Sequence, residues 1–159
     1  MSIRSIVISG IVASLVIAMW EMVVEAIIPN GAGFFGPPIA IGATLVRDLQ
    51  GAANPIPFNG LALILGLMGH MMNSVVLAAV FGFLVTRSRP SGARTVGLGM
   101  VWGVVVFVIT WFVVVPAVDP VLLNVNAGAF FVAHLMWGLA LGFAWSRLEP
   151  AEVATTRFA

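Results

Sequence analysis

With 159 residues, 61% of them hydrophobic and 8% charged, and a mean hydropathy of +1.13, the chain is too apolar for a soluble domain of its size and reads as a membrane protein. A formal charge of +1, with no basic run interleaved with aromatics, excludes a nucleic-acid footprint. The lack of cysteine excludes disulfides, thiolate metal ligands and covalent haem attachment.

A membrane-spanning helix needs roughly 20 apolar residues, and the chain supplies four such stretches in a single membrane domain over residues 1–159. The first covers about residues 5–28. Its start, Arg4 followed by IVISGIVASLVIAM, resembles a signal peptide, but the apolar run continues past Met19 without a small-x-small cleavage site, so an uncleaved span is expected. Glu21 and Glu25 lie one turn apart near its far end. Glu25 is expected to be close enough to the interface to be partly hydrated.

Pro29-Asn30-Gly31 ends this span and opens a connection over residues 30–59, long enough to expect a function of its own. Within it, residues 34–51 (FFGPPIAIGATLVRDLQG) read as paired aromatics, a Pro-Pro helix start and a short helix. That helix is too short to span and is expected to be interfacial or re-entrant, capping the outer mouth of the bundle.

The second span, residues 60–85, carries His70, with Asn73 just after it; an Arg- and Pro-containing turn at 87–92 closes it. The third, residues 96–118, contains Trp111 and runs into a Pro116 to Pro120 breaker. The fourth, residues 126–145, carries His134, the second of the two histidines in the chain. Each histidine opens a similar pattern, HMMNSVVLA at 70–78 and HLMWGLALG at 134–142. With Trp20 and Pro29 spaced like Trp111 and Pro120, this points to a parallel two-helix internal repeat. The predicted fold is therefore all-α: a four-transmembrane-helix bundle with an inserted outer helix.

Small residues follow each histidine at i+4 spacing: Ser74, Ala78 and Gly82 on the second span, Gly138, Gly142 and Ser146 on the fourth. Such faces let membrane helices approach closely, so the second and fourth spans are expected to pack on each other. Gly99-x-x-x-Gly103 and Gly138-x-x-x-Gly142 read as packing motifs rather than nucleotide loops. No phosphate loop or nucleophile, base and acid series supports ordinary enzyme chemistry.

Counting 1.5 Å per residue from the outer helix ends places His70 and His134 roughly 12 to 15 Å deep and Glu21 roughly 10 Å deep. One carboxylate and two imidazoles thus share a level, where isolated ionisable groups are costly. Glu21, His70 and His134 are expected to form a polar cluster supported by Glu25, Asn73 and Trp111. Three readings of it remain open: a hydrogen-bonded network joining helices, a zinc or copper site with open positions, or a b-type haem held by both histidines. The methionines Met19, Met22, Met68, Met71, Met72, Met100 and Met136 read as copper(I) ligands or as adaptable core filler. Trp20, Trp111 and Trp137 read as walls of the site or as interface anchors.

Of the seven arginines, Arg4, Arg87, Arg89, Arg94, Arg147 and Arg157 flank one side and Arg47 the other, which predicts both termini in the cytoplasm. The GHMMNSVVLAAVFGFLV, VVVPAVDP and AHLMWGLALGFAWS segments resemble a broad group of small bacterial inner-membrane proteins classified as families of unknown function. The resemblance implies a four-helix fold and the recurring histidines, and no activity or cofactor. The function expected is that of a non-enzymatic inner-membrane protein, accessory to a larger complex or homo-oligomeric. The alternative is a divalent-metal-binding or small-solute transport protein using Glu21, His70 and His134.

Overall fold

The computed structural model describes residues 1–88, 90 and 92–149; Arg89, Ser91 and Arg157 lie outside the described residues. Four helical segments are long and apolar enough to cross a membrane: α1 (Ile3–Ile27), α3 (Gly60–Ser88), the run Gly92–Val118, and α6 (Ala127–Leu148). The run Gly92–Val118 consists of α4 (Gly92–Ile109), a π-helical turn at Thr110–Val114 and the short α5 (Val115–Val118). Pro116 has no N–H to donate within this helix, and the wider turn precedes it. There is no strand among the described residues.

Local chemistry sets the helix ends. Ser2 caps α1 by accepting from the Ser5 amide, and Asn126 caps α6 by accepting from Ala129. The start of α1 and the end of α6 lie at one end of the molecule: Glu149, just past α6, accepts from the Ser2 amide at 2.7 Å and the Ser5 hydroxyl at 2.9 Å. The opposite end, the loop end, carries residues 28–59 and 119–126.

Small residues decide which helices meet. The α1–α3 crossing is at Gly10, where a Cβ would lie 2.7 Å from the Val75 Cα. There the Ser74 hydroxyl donates to the Gly10 carbonyl at 2.7 Å. The α4–α6 crossing joins the two glycine motifs, Gly99 and Gly103 on one helix against Gly138, Gly142 and the His134 backbone on the other. With α1 also packed along α6, the spans follow one another in the order α3, α1, α6, α4.

This corrects the expected pairing of the second and fourth spans through their small faces. Gly138 and Gly142 are taken by α4, and Ser74 by α1. Contact between α3 and α6 is carried instead by two tryptophans: Trp137 donates to Ser74 Oγ at 2.8 Å, and Trp145 lies over Gly82 and meets Phe81 edge to face. Ala78 is fully buried in the same core as Trp137 and Trp145. A ring bridges a wider gap than two backbones in contact, so the Gly82 notch receives a side chain rather than a helix.

The crossings also reset the expected internal correspondence. Counted from Ile3 and Gly92, Gly10 and Gly99 are each the eighth residue of their helix, and their partners Ser74 and Gly138 each stand four residues after a histidine. In that register Trp20 is matched by Ile109 rather than by Trp111.

The helix expected in the long connection is α2 (Gly36–Ala43), with Pro37 and Pro38 in its first turn, followed by a 3-10 turn at Arg47–Leu49. Most of α2 is buried: Pro37, Pro38, Ile39, Ala40, Gly42 and Ala43. It packs on α3, with Gly42 against Ala62 and Gly66 against the Pro38 carbonyl. Its other neighbours include Val115, Val121 and Phe130 in a second apolar core.

Candidate functional site

α3 and α4 stand at the two ends of the helix order and make few contacts with each other. Between them lies a cavity of about 440 Å³. Leu65, Gly69, Asn73 and Leu77 edge it on α3, and Val106, Thr110, Val114 and Val118 edge it along α4 and α5; both series repeat at i+4 and so form single stripes. Ile17 and Glu21 of α1, with Phe130, His134 and Trp137 of α6, form its back. Ile41, Gly42, Thr44, Leu45 and Asp119 close the loop end. Asn73 and Val114 are exposed, so the cleft opens sideways between the two stripes.

Glu21, His70 and His134 all line this cavity. Glu21 is 2% exposed and its Oε1 atom has no hydrogen-bond partner. His70 is half-buried, and its inaccessible Nε2 also has no partner. Both residues border a second, smaller space of about 10 Å³ beneath Pro37, Pro38 and Ile41, close to the least volume that holds one water.

His134 is oriented from behind. Its Nδ1 lies 2.8 Å from the Phe130 carbonyl, and because a carbonyl only accepts, Nδ1 carries the proton. In the neutral ring Nε2 then keeps its lone pair. Phe130 and Phe107 hold the ring at centroid distances of 4.4 and 5.9 Å.

The expected supporting residues separate. Asn73 stands at the lip of the cavity. Trp111 does not line it; it stacks on Phe107 and lies tilted against Phe130 behind His134. Glu25 is 1% exposed rather than partly hydrated, and its carboxylate accepts from the Ala32 amide at 2.8 Å and the Asn126 amide at 2.7 Å. It ties the long connection to the start of α6. Trp20 donates to the Ala129 carbonyl across the same helix pair.

Among the described residues, no group of three histidine or acidic side chains comes together to hold a metal ion. Met19, Met68, Met71, Met72 and Met100 are exposed, and no methionine lines the cavity. Around the cavity there is thus neither a thioether set nor a three-ligand set.

Sequence reasoning missed Thr110 and Asp119. Thr110 follows the unbroken apolar run Val104–Ile109 and begins the π-helical turn, a signal visible only as a hydroxyl six residues before a proline. Asp119 is buried and accepts from the Gln50 amide, whose carbonyl in turn accepts from the Val121 amide. Arg47 donates to the Val118 carbonyl at 2.9 Å. Burial pushes the Asp119 carboxyl above its ordinary range, while hydrogen bonds from Gln50 and Thr44 and the Arg47 charge act more weakly the other way.

Comparison with protein-family models, with curated proteins and with solved structures finds no match to this chain.

Proposed function

We propose that the chain is a multi-pass bacterial inner-membrane protein, without enzymatic activity of its own, that binds a small and largely apolar molecule in the cleft between α3 and α4. The observation that carries this reading is the cavity: about 440 Å³, walled mainly by apolar side chains, with Glu21, His70 and His134 among its few ionisable residues, while Glu21 Oε1 and His70 Nε2 are buried and unpartnered. Binding sites for small molecules have this volume and this sparse polar marking. A purely structural Glu and His network would join its members by hydrogen bonds, and these atoms have none.

In this reading both termini are cytoplasmic, with Arg4, Arg87, Arg94 and Arg147 at the terminal end and Arg47 beyond the membrane. α2 is a re-entrant element: it is too short to span, and its buried surface lies against α3 beside Glu21 and His70. The equivalent crossings at Gly10 and Gly99 support a parallel repeat in which each half contributes one histidine, and the inserted α2 sits on the first half. The exposed apolar surface is covered by lipid, by a second copy or by a larger membrane complex.

The test uses protein purified in mild detergent without a histidine tag and a panel of apolar compounds bearing hydroxyl, carboxyl or amine groups. At least one should raise the melting temperature saturably. Gly69→Phe should remove that effect while preserving the fold, because a Cβ at Gly69 meets nothing within 4 Å and the position lines the cavity. Absence of any saturable effect, or effects that survive Gly69→Phe, would sink the reading. Stoichiometric zinc or copper lost in His70→Ala and His134→Ala, or a haem absorption band, would favour a metal centre instead.

A further inference from the structure

At the back of the cavity the free hydrogen-bonding capacity is one-sided, while the groups that can donate, Asn73 and Thr110, stand on its α3 and α4 edges. Ser74 is fully used, accepting from Trp137 and donating to Gly10. Glu21 lines the space, and its buried Oε1 has no partner. His134 has its Nδ1 proton committed to Phe130, so its free nitrogen accepts. His70 has an unpartnered Nε2, and its ring lies beside the Ser14 backbone. Among the described residues no arginine lines the space, and the chain has no lysine. An anionic ligand would therefore meet a buried acidic side chain with no compensating cation, whereas a ligand that brings a positive charge and N–H donors is what allows that side chain to ionise.

Resting on the reading of the cavity as a ligand site, we propose that its ligand is a lipophilic amine bound as an ammonium, with N–H donation to Glu21 and the two histidines and its apolar body along the α3 and α4 stripes. A primary ammonium has three protons, and Glu21, His70 and His134 all line the space it would fill. A neutral alcohol has one. The sideways opening between Leu65, Gly69 and Leu77 on α3 and Val106 and Val114 on the facing run suits an apolar body that partitions into lipid. Asn73, at the lip, gives the polar head a hydrogen-bonding station on the way in.

Calorimetric titration of the full chain in detergent at neutral pH, with three probes sharing one ring, decides it: 1-naphthylmethylamine, 1-naphthylmethanol, and the N,N,N-trimethyl derivative of the amine. The amine should bind saturably, and the alcohol and the trimethylammonium probe should each bind on the order of tenfold more weakly, one lacking the charge and the other the N–H donors. Glu21→Gln should weaken the amine by a similar factor and change the alcohol little. Equal binding of amine and alcohol, equal binding of amine and trimethylammonium, or an amine affinity indifferent to Glu21→Gln would each overturn the proposal. If Glu21→Gln does not fold, the comparison of the three probes on the parent chain still decides. Alcohol binding as tight as amine binding, with both abolished by Gly69→Phe, refutes the ammonium and leaves the cavity standing. Binding that Gly69→Phe does not touch refutes the cavity itself.

Discussion

Glu21 and Glu25 stand four residues apart on α1, and both are almost fully buried, yet they do different work. Glu25 spends its carboxylate on two backbone N–H groups of segments that have no helical partner for them, Ala32 and Asn126. Removing it orphans both donors, so Glu25→Ala should cost about 3 kcal/mol. Glu25→Gln should cost less, because its one carbonyl oxygen still accepts. Melting temperature in detergent checks both, and a Glu25→Ala protein as stable as the parent would refute the tie. Asp119 predicts a pH effect. Its folded carboxyl is held above the unfolded value by burial, so its contribution to stability is complete below the unfolded pKa and is lost as pH rises through the folded one. Asp119→Asn keeps an acceptor for Gln50 and removes the buried charge. The variant should match or exceed the parent's melting temperature in mild alkali, with its advantage shrinking as pH falls. Glu149 runs the other way: hydrogen bonds from the Ser2 amide and Ser5 hydroxyl hold its carboxyl below the ordinary range, and its contribution is lost on acidification through that lowered value.

At the scale of elements, glycines choose the partners. Gly97 and Gly99 are two residues apart on α4, but a Cβ at Gly97 meets nothing within 4 Å while one at Gly99 would lie 3.0 Å from the Gly142 Cα. Gly99→Leu should therefore force α4 off α6 and lower the melting temperature sharply, by the equivalent of about 2 to 3 kcal/mol. Gly97→Leu should be neutral or slightly stabilising through helix propensity. Equal effects at the two positions would show that this crossing does not hold the helices together. The same logic explains why α3 and α6 stay apart: Trp137 and Trp145 fill the space that their small faces leave.

For the whole molecule, the Ser2 and Ser5 bonds to Glu149 bring the start of α1 and the end of α6 to one side. The arginine distribution then predicts which side. A C-terminal alkaline phosphatase fusion should be inactive and a C-terminal fluorescent protein bright, whereas a phosphatase inserted near Ala53 should be active; the reverse pattern would invert the topology. The lateral cleft is also a property of this scale. It exists because α3 is occupied by α2 on one flank and by α1 on another, which leaves α4 without it as a neighbour.

The four long apolar helices are legible in the sequence, because hydropathy is local and additive along a helix, and counting the rise per residue singles out Glu21, His70 and His134, which line one cavity. The sequence also marks α2, through Pro37 and Pro38. Helix partnership is not legible in this way: Ser74, Ala78 and Gly82 look as suited to Gly138 and Gly142 as Gly99 and Gly103 do, since without a hydrophobic force between helices in lipid many small faces compete on van der Waals contact alone. Only the tertiary packing, by committing Gly138 to Gly99 and Ser74 to Gly10, separates α3 from α4. That separation opens the cavity, turns Trp111 away from it and brings Thr110 and Asp119 to its wall.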